Sequence, residues 1–299
     1  MNLLSYDFMQ RALLAAVLIG VTAPAVGIYL VQRRQALMGD GIGHVALTGV
    51  GLGFVFHTSP VWMAVLVCVA GAVVMEVIRS RGNQRGDIAL AMLFYGGMAC
   101  GKLLVSVSAN GGGGGNLESY LWGSILTVAP ADLVAIVVLG AFAVAVTLGL
   151  RRQLFAVCQD EEFARVTGVP VRLLNLLLAV TAAVTVTVAM RVVGLLLVSA
   201  LMVVPVAAAQ QLTRSFAATQ ALSVAVGVVV ALAGVTGSYY VDVPSGPAIV
   251  LLAIAVFAGC TALAAPLARR TARRRAAGTE RPRRPDDSAP TEPGPALAQ

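Results

Sequence analysis

The sequence predicts an all-α membrane protein, a polytopic bundle of eight or nine transmembrane helices. A short re-entrant or interfacial helix and a cytoplasmic helix complete it. Three observations predict this class. Of 299 residues, 58% are hydrophobic and 12% charged, against about 45–50% and about 25% in soluble domains. A soluble domain of this size buries only about 75% of its unfolded surface, so the apolar surplus needs lipid as solvent. Second, apolar stretches of span length recur along the chain. Third, arginines gather at alternate ends of those stretches. Composition thus excludes a cytosolic enzyme, a disordered chain and a disulfide-rich secreted domain. The four cysteines (Cys68, Cys100, Cys158, Cys260) are scattered and form neither a CxxC pair nor a zinc cage.

Candidate spans lie near 11–31, 42–57, 61–78, 88–107, 131–149, 173–190, 192–211, 216–236 and 247–265. Span one is not read as a signal peptide. Its leader, Met1 to Gln10, has Asp7 and no basic residue, and no cleavage site interrupts the apolar run. Arg33 and Arg34 follow span one, Arg79, Arg81 and Arg85 span three, and Arg151, Arg152, Arg165 and Arg172 bracket the segment after span five. Arg214 follows span seven and an Arg cluster follows span nine. Odd spans therefore end in the cytoplasm, with the N-terminus outside and the C-terminus inside.

Leu117 to Val128 is too short to cross, and Pro130 ends it. It reads as the re-entrant or interfacial helix, with Tyr120 and Trp122 at headgroup level. Leu154 to Pro170 is cytoplasmic. Gln159-Asp160-Glu161-Glu162 starts a helix with acids at its N-terminus, and Asp160, Ala164 and Gly168 recur every four residues. That stripe of short side chains suits either a groove of another protein or the membrane face. Residues 1–266 form the transmembrane domain. Residues 267–299, with eight Arg against four acids, read as a disordered, solvated cytoplasmic tail, in which Arg269 to Arg275 could in addition meet anionic lipid headgroups. The net charge of +7 is largely a tail property and gives no reason to expect nucleic acid.

Ionisable groups inside spans are the candidates for function. Asp40 and His44 are four residues apart, on one face of a helix, and a carboxylate with an imidazole suits a first-row divalent cation. The open alternative makes Asp40 a helix cap and His44 a hydrogen-bond donor within the bundle. Gly39, Gly43, Gly49 and Gly53, with Gly41 and Gly51, allow close approach to a helix or around a pore. His57 reads as an interfacial loop residue. Gly96, Gly101 and Lys102 have phosphate-loop spacing, but Leu103 stands where Ser or Thr must hold Mg²⁺; Lys102 is read as snorkelling. Pro205 is expected to kink or break span seven. Asp242 caps a turn before Pro247, which opens span nine.

Five motifs in register resemble the permease subunits of the ABC-3 family, bacterial importers of zinc, manganese or iron(II). They are Met-Gly-Asp40-x3-His44-x4-Gly49, Tyr120-Leu-Trp-Gly123-Ser-Ile-Leu126, Glu162-Phe-Ala164-x3-Gly168-Val, Val193-Gly194-x5-Ala200-Leu-x2-Val-Pro205-x2-Ala208 and Asp242-x-Pro244-x-Gly246-Pro247. The resemblance implies a transport subunit of the bacterial plasma membrane rather than an enzyme. It implies a homodimer with a cytoplasmic ATPase on each subunit and an extracytoplasmic metal-binding protein that delivers the ion. Asp40 and His44 then line the path, and Asp160, Glu162, Ala164 and Gly168 belong to the ATPase-coupling helix. Gly39, Gly43, Gly49, Gly53, Pro205, Asp242, Pro244 and Gly246 serve packing or gating. No cofactor is held permanently; the divalent ion, zinc or manganese first, is cargo. Some members carry a second histidine in span four, where Tyr95 stands here with Lys102 nearby. The alternative class is a proton-driven divalent-metal transporter without an ATPase. Two histidines and no HExxH motif exclude an intramembrane metalloprotease.

Overall fold

A computed structural model describes residues 7–80, 86–109, 117–123, 130–190, 192–195 and 197–279. Every element among them is a helix: α1 (Asp7–Gln32), α2 (Met38–Val55), α3 (Pro60–Ser80), α4 (Gly86–Ala109), α5 (Leu117–Trp122), α6 (Pro130–Gly149), α7 (Arg151–Gln159), α8 (Glu161–Val166), α9 (Val171–Ala189), α10 (Val198–Leu212), α11 (Phe216–Val241) and α12 (Ser245–Thr279). In the bilayer each backbone polar group must be satisfied within its own segment, and helices meet that demand.

Seven of them, α1, α3, α4, α6, α9, α11 and α12, are long and apolar enough to cross a membrane. The second and seventh stretches fall short for different reasons. Asp40, His44 and six glycines dilute the apolar character of α2. Span seven loses its first residues to a non-helical segment that turns at Gly194 (φ +87°), leaving α10 only 15 residues. Pro205 lies inside α10 without breaking it. The interruption falls upstream, where a left-handed residue demands glycine. At the C-terminus α12 continues helical to Thr279, past the boundary expected at 266. Alanine and arginine, which dominate 268–277, are strong helix formers. Residues 280–299 lie outside the described residues.

Two helices form the axis of the bundle. The most apolar windows of α1 and α9 are each 72% buried, against 22% for α4 and 11% for α12. Lipid or a second chain must cover those outer helices. Gly20 of α1 meets the backbone of Gly227 and Val228 in α11, and Gly27 meets the backbone of Met202 in α10. The buried Tyr29 hydroxyl donates to the Thr147 carbonyl of α6 at 2.9 Å. In α9 the hydroxyls of Thr181, Thr185 and Thr187 donate to carbonyls one turn back, at 2.7, 2.8 and 2.8 Å. These buried polar groups thus need no partner helix.

Glycines let α2 pack closely on three sides. A Cβ on Gly39 would stand 3.2 Å from Cβ of Ser199, and one on Gly43 3.2 Å from the Leu195 carbonyl oxygen. Cβ atoms on Gly49 and Gly53 would overlap the backbone of Ala64 and Pro60 in α3, at 2.5 and 2.6 Å. Facing α4, Gly97 and Gly101 sit directly on the backbone of His44 and Leu47, and the Thr48 hydroxyl donates to the Gly97 carbonyl at 2.9 Å. The glycines therefore admit neighbouring helices of this chain rather than framing an open pore.

Candidate functional site

Asp40 and His44 sit on one face of the first two turns of α2. The helix is capped at Leu37 without a side-chain hydrogen bond, so Asp40 is free of that duty. Its Oδ1 instead accepts a short hydrogen bond from the Ser199 hydroxyl at the start of α10. The His44 ring rests edge-on against Phe94 of α4, centroids 4.1 Å apart. Its Nδ1 is buried without a hydrogen-bond partner among the described residues. A buried polar atom normally finds a partner, which makes this nitrogen an exception. The Met202 thioether lies beside Gly39, its sulfur 3.7 Å from where a Cβ would stand. Ser199 and Met202 of α10 thus border the start of α2 around Gly39 and Asp40.

No group of three or more His, Cys, Asp or Glu side chains that could hold a metal occurs among the described residues. Asp40 and His44 offer two ligand types, fewer than the four of a closed structural site. Glu76 of α3, buried like few other carboxylates of the chain, is consumed locally: Arg79 grips both its oxygens at 2.9 Å. Tyr95, at the position comparable to the second histidine, is 65% exposed and reaches the site only through Phe94. Lys102 is exposed, and Gly96 through Lys102 run within the unbroken helix α4, which excludes a phosphate-cradling loop. His57 occupies an exposed turn with φ +52°. A cleft of about 170 Å³ opens near the start of α2, lined by residues including Arg34, Met38, Met75 and Arg79. Neither Asp40 nor His44 lines it, and two guanidiniums disfavour a cation there.

A second polar assembly lies just past the C-terminal end of α1. Asp160 is the N-cap of α8, its Oδ1 accepting from the Phe163 amide at 2.9 Å. The expected stripe does not form one outward face. Ala164 is fully buried, and Gly168 lies beyond the helix end with φ +83°. What α8 shows outward is Phe163, 66% exposed, with Glu162 and Arg165; Val166 at its last turn is 87% exposed. Behind it, Arg33 Nη2 donates to Glu161 Oε2 at 3.1 Å and Nη1 to Asn175 Oδ1 at 2.6 Å. Burial lowers the Arg33 pKa, helped by the nearby Arg79 cation and opposed by Cys158, Glu161 and Glu76. Burial likewise pushes the Cys158 thiol of α7 up to about 11, against the lowering pull of Arg33.

Three of the glycine motifs meet at the other end, where α5, the α9–α10 connection and α12 cross. Cβ atoms on Gly123, Gly194 or Gly246 would each overlap backbone of the facing segment. The Leu195 amide donates to the Tyr120 carbonyl at 2.9 Å, and the Ser245 hydroxyl to the Val192 carbonyl at 2.7 Å. Tyr120 is only 6% exposed and packs on Phe54. Trp122 is 40% exposed. Residues 124–129 of that segment lie outside the described residues. Asp242 ends α11 in a left-handed conformation (φ +55°), and Pro244 precedes α12.

Sequence reasoning missed Ser199, Met202 and Phe94, since none carries a charge or stands out from an apolar stretch. It also saw Arg33 only as an orienting charge.

Relatives and solved structures share this layout. The chain is 33% identical over 257 residues to the "Manganese transport system membrane protein MntC" of Halalkalibacterium halodurans, covering 86% of this chain and 87% of that one. It is 30% identical to the "Chelated iron transport system membrane protein YfeD" of Yersinia pestis, over 83% and 82% of the two chains. The structure of PsaBC from Streptococcus pneumoniae in complex with Fab superposes with a TM-score of 0.77 at 28% identity, covering 87% of this chain and 92% of that one. The signature of the ABC 3 transport family matches residues 5–264. With seven helices able to span a bilayer and a family match over nearly its whole helical bundle, the chain is a multi-pass membrane protein that belongs to the ABC 3 transport family.

Proposed function

We propose that the chain is the permease subunit of an ATP-binding-cassette importer that carries a divalent first-row metal into a bacterial cytoplasm. Manganese is the favoured cargo, with iron(II) and zinc as competitors. The observation that carries this reading is the unpartnered His44 Nδ1 one turn from Asp40, on a chain related to manganese and iron transport proteins. In this reading two copies pair within the plasma membrane and set their Asp40–His44 faces along the path. Carboxylate and imidazole replace part of the ion's hydration shell; Ser199 keeps Asp40 aimed. Two ligands bind weakly enough for release.

The end that carries α7, α8 and Arg33 faces the cytoplasm. There Phe163 and Val166 dock on a separate ATPase subunit, which alone hydrolyses ATP. The α5 end faces outward, where α5 is re-entrant and an extracytoplasmic metal-binding protein delivers the ion. Lipid covers the outer helices, and the basic residues after 267 meet its headgroups. Closure of the ATPase dimer moves α8 and rocks the bundle between outward- and inward-open states.

The test is complementation of a strain lacking this subunit, in media limited separately in manganese, iron and zinc. Rescue by the wild-type chain in manganese-limited medium, but not by the Asp40→Ala, His44→Ala double variant, is expected. Rescue by that double variant in all three media contradicts the assignment. Co-purification of an ATPase with the wild-type chain separates this reading from a proton-driven transporter.

A further inference from the structure

We infer that Arg33 is the positioning residue that carries movement of α8 to Asp40; the inference rests on the reading of α8 as an ATPase-docking element. Arg33 stands one residue past α1, with its side chain 7% exposed. Its guanidinium holds two partners from different elements, Asn175 of α9 at 2.6 Å and Glu161 of α8 at 3.1 Å. Asn175 Nδ2 closes the ring by donating to Glu161 Oε1 at 3.4 Å. Arg165 adds a further donor to the same oxygen at 3.3 Å. Both Glu161 oxygens are thus occupied, and α1, α8 and α9 are tied at one point.

A helix of six residues has little stability of its own, and its geometry follows whatever anchors it. For α8 the anchors are the Asp160 cap, the buried Ala164 and this ring. A planar guanidinium that donates to two partners in a partly buried ring resists shear better than a single flexible contact. A push on Phe163 and Val166 therefore reaches α1 as displacement rather than being lost in side-chain motion.

From Arg33 the route continues without slack. Gly27, six residues earlier in α1, stands on the backbone of Met202, 2.7 Å from its carbonyl carbon to an added Cβ. No side chain separates the helices there, so none can absorb a shift. Met202 lies three residues from Ser199, whose hydroxyl donates to Asp40. Displacing α1 along its axis thus moves the donor that aims the carboxylate. Packed helices of this kind shift between discrete arrangements rather than deforming smoothly.

The test uses the permease with its cognate ATPase in proteoliposomes, reading ATP hydrolysis and manganese uptake in the same vesicles. For Arg33→Gln, normal ATPase co-purification and hydrolysis within twofold of wild type are expected, with manganese moved per ATP falling at least tenfold. Glu161→Gln changes the more exposed partner, 38% against 7%, and keeps the side chain's size and an oxygen acceptor for Arg33, so it serves if Arg33→Gln does not accumulate. The same loss of stoichiometry is expected from it. Arg33→Lys keeps the cation and recovers at least half of the ratio. An unchanged ratio in Arg33→Gln or Glu161→Gln overturns the inference, as does loss of ATPase co-purification, which would make the ring a docking support instead. A wild-type chain that binds no ATPase overturns the functional reading beneath it.

Discussion

Asp40 and Glu161 are both carboxylates held across elements, and they are held in opposite ways. Asp40 has one hydroxyl donor on Oδ1, and beside it His44 Nδ1 has none. Glu161 has each oxygen bonded to one or two donors, from Arg33, Arg165 and Asn175. A carboxylate left with unused lone pairs next to an open imidazole nitrogen can take up a cation. One saturated by guanidinium and amide donors cannot, and it stiffens what it joins. In the proposed reading the chain separates a place that binds from a place that transmits, using the same functional group.

Four substitutions or measurements break or sharpen that contrast. Asp40→Asn keeps the size and the Ser199 contact while removing the charge. Manganese uptake is expected to fall by more than about a hundredfold, since outer-shell losses alone reach about 10–100-fold at metal sites. ATP hydrolysis should persist. At the saturated end, the Cys158 thiol stands 3.8 Å from the Tyr29 carbonyl with its pKa raised to about 11 from an ordinary 9.0. A raised thiol pKa means less thiolate below it. Maleimide labelling at pH 8 is then about a hundredfold slower than for a free cysteine, accelerating as pH climbs toward 11.

The next effect is smaller. Ser199→Ala removes a hydrogen bond to a charged group, a contact of about 1.5–3 kcal/mol. About a tenfold rise in the manganese concentration for half-maximal uptake is expected, with maximal rate little changed. An unaltered concentration dependence would show that Asp40 needs no second helix to aim it. Smallest is Asp160→Ala, which removes the α8 cap. A cap contributes about 1 kcal/mol, so ATPase co-purification should drop about fivefold, measured by quantitative pull-down.

Much of the bundle was legible because lipid imposes simple rules on composition. Long apolar stretches and alternating arginines carry the spans without any knowledge of packing, and four-residue spacing alone puts Asp40 and His44 on one face. What the spacing could not supply was depth and partner. The stripe at Asp160, Ala164 and Gly168 has helical spacing, yet Ala164 turns inward and Gly168 lies past the helix end. Span seven was read through residues that a left-handed Gly194 takes out of the helix. Glycines announced close contact along α2, but only the fold assigns Gly49 to α3 and Gly39 to α10. Ser199 was invisible because a serine in an apolar stretch normally bonds its own helix. Its acceptor lies 159 residues away.

The central claim is that Asp40 and His44 handle the transported ion. Its most direct test is ATP-driven uptake of radiolabelled manganese into proteoliposomes holding the assembled transporter. Asp40→Ala with His44→Ala is expected to abolish uptake while ATPase assembly and hydrolysis remain. Uptake at the wild-type rate by that double variant would contradict it.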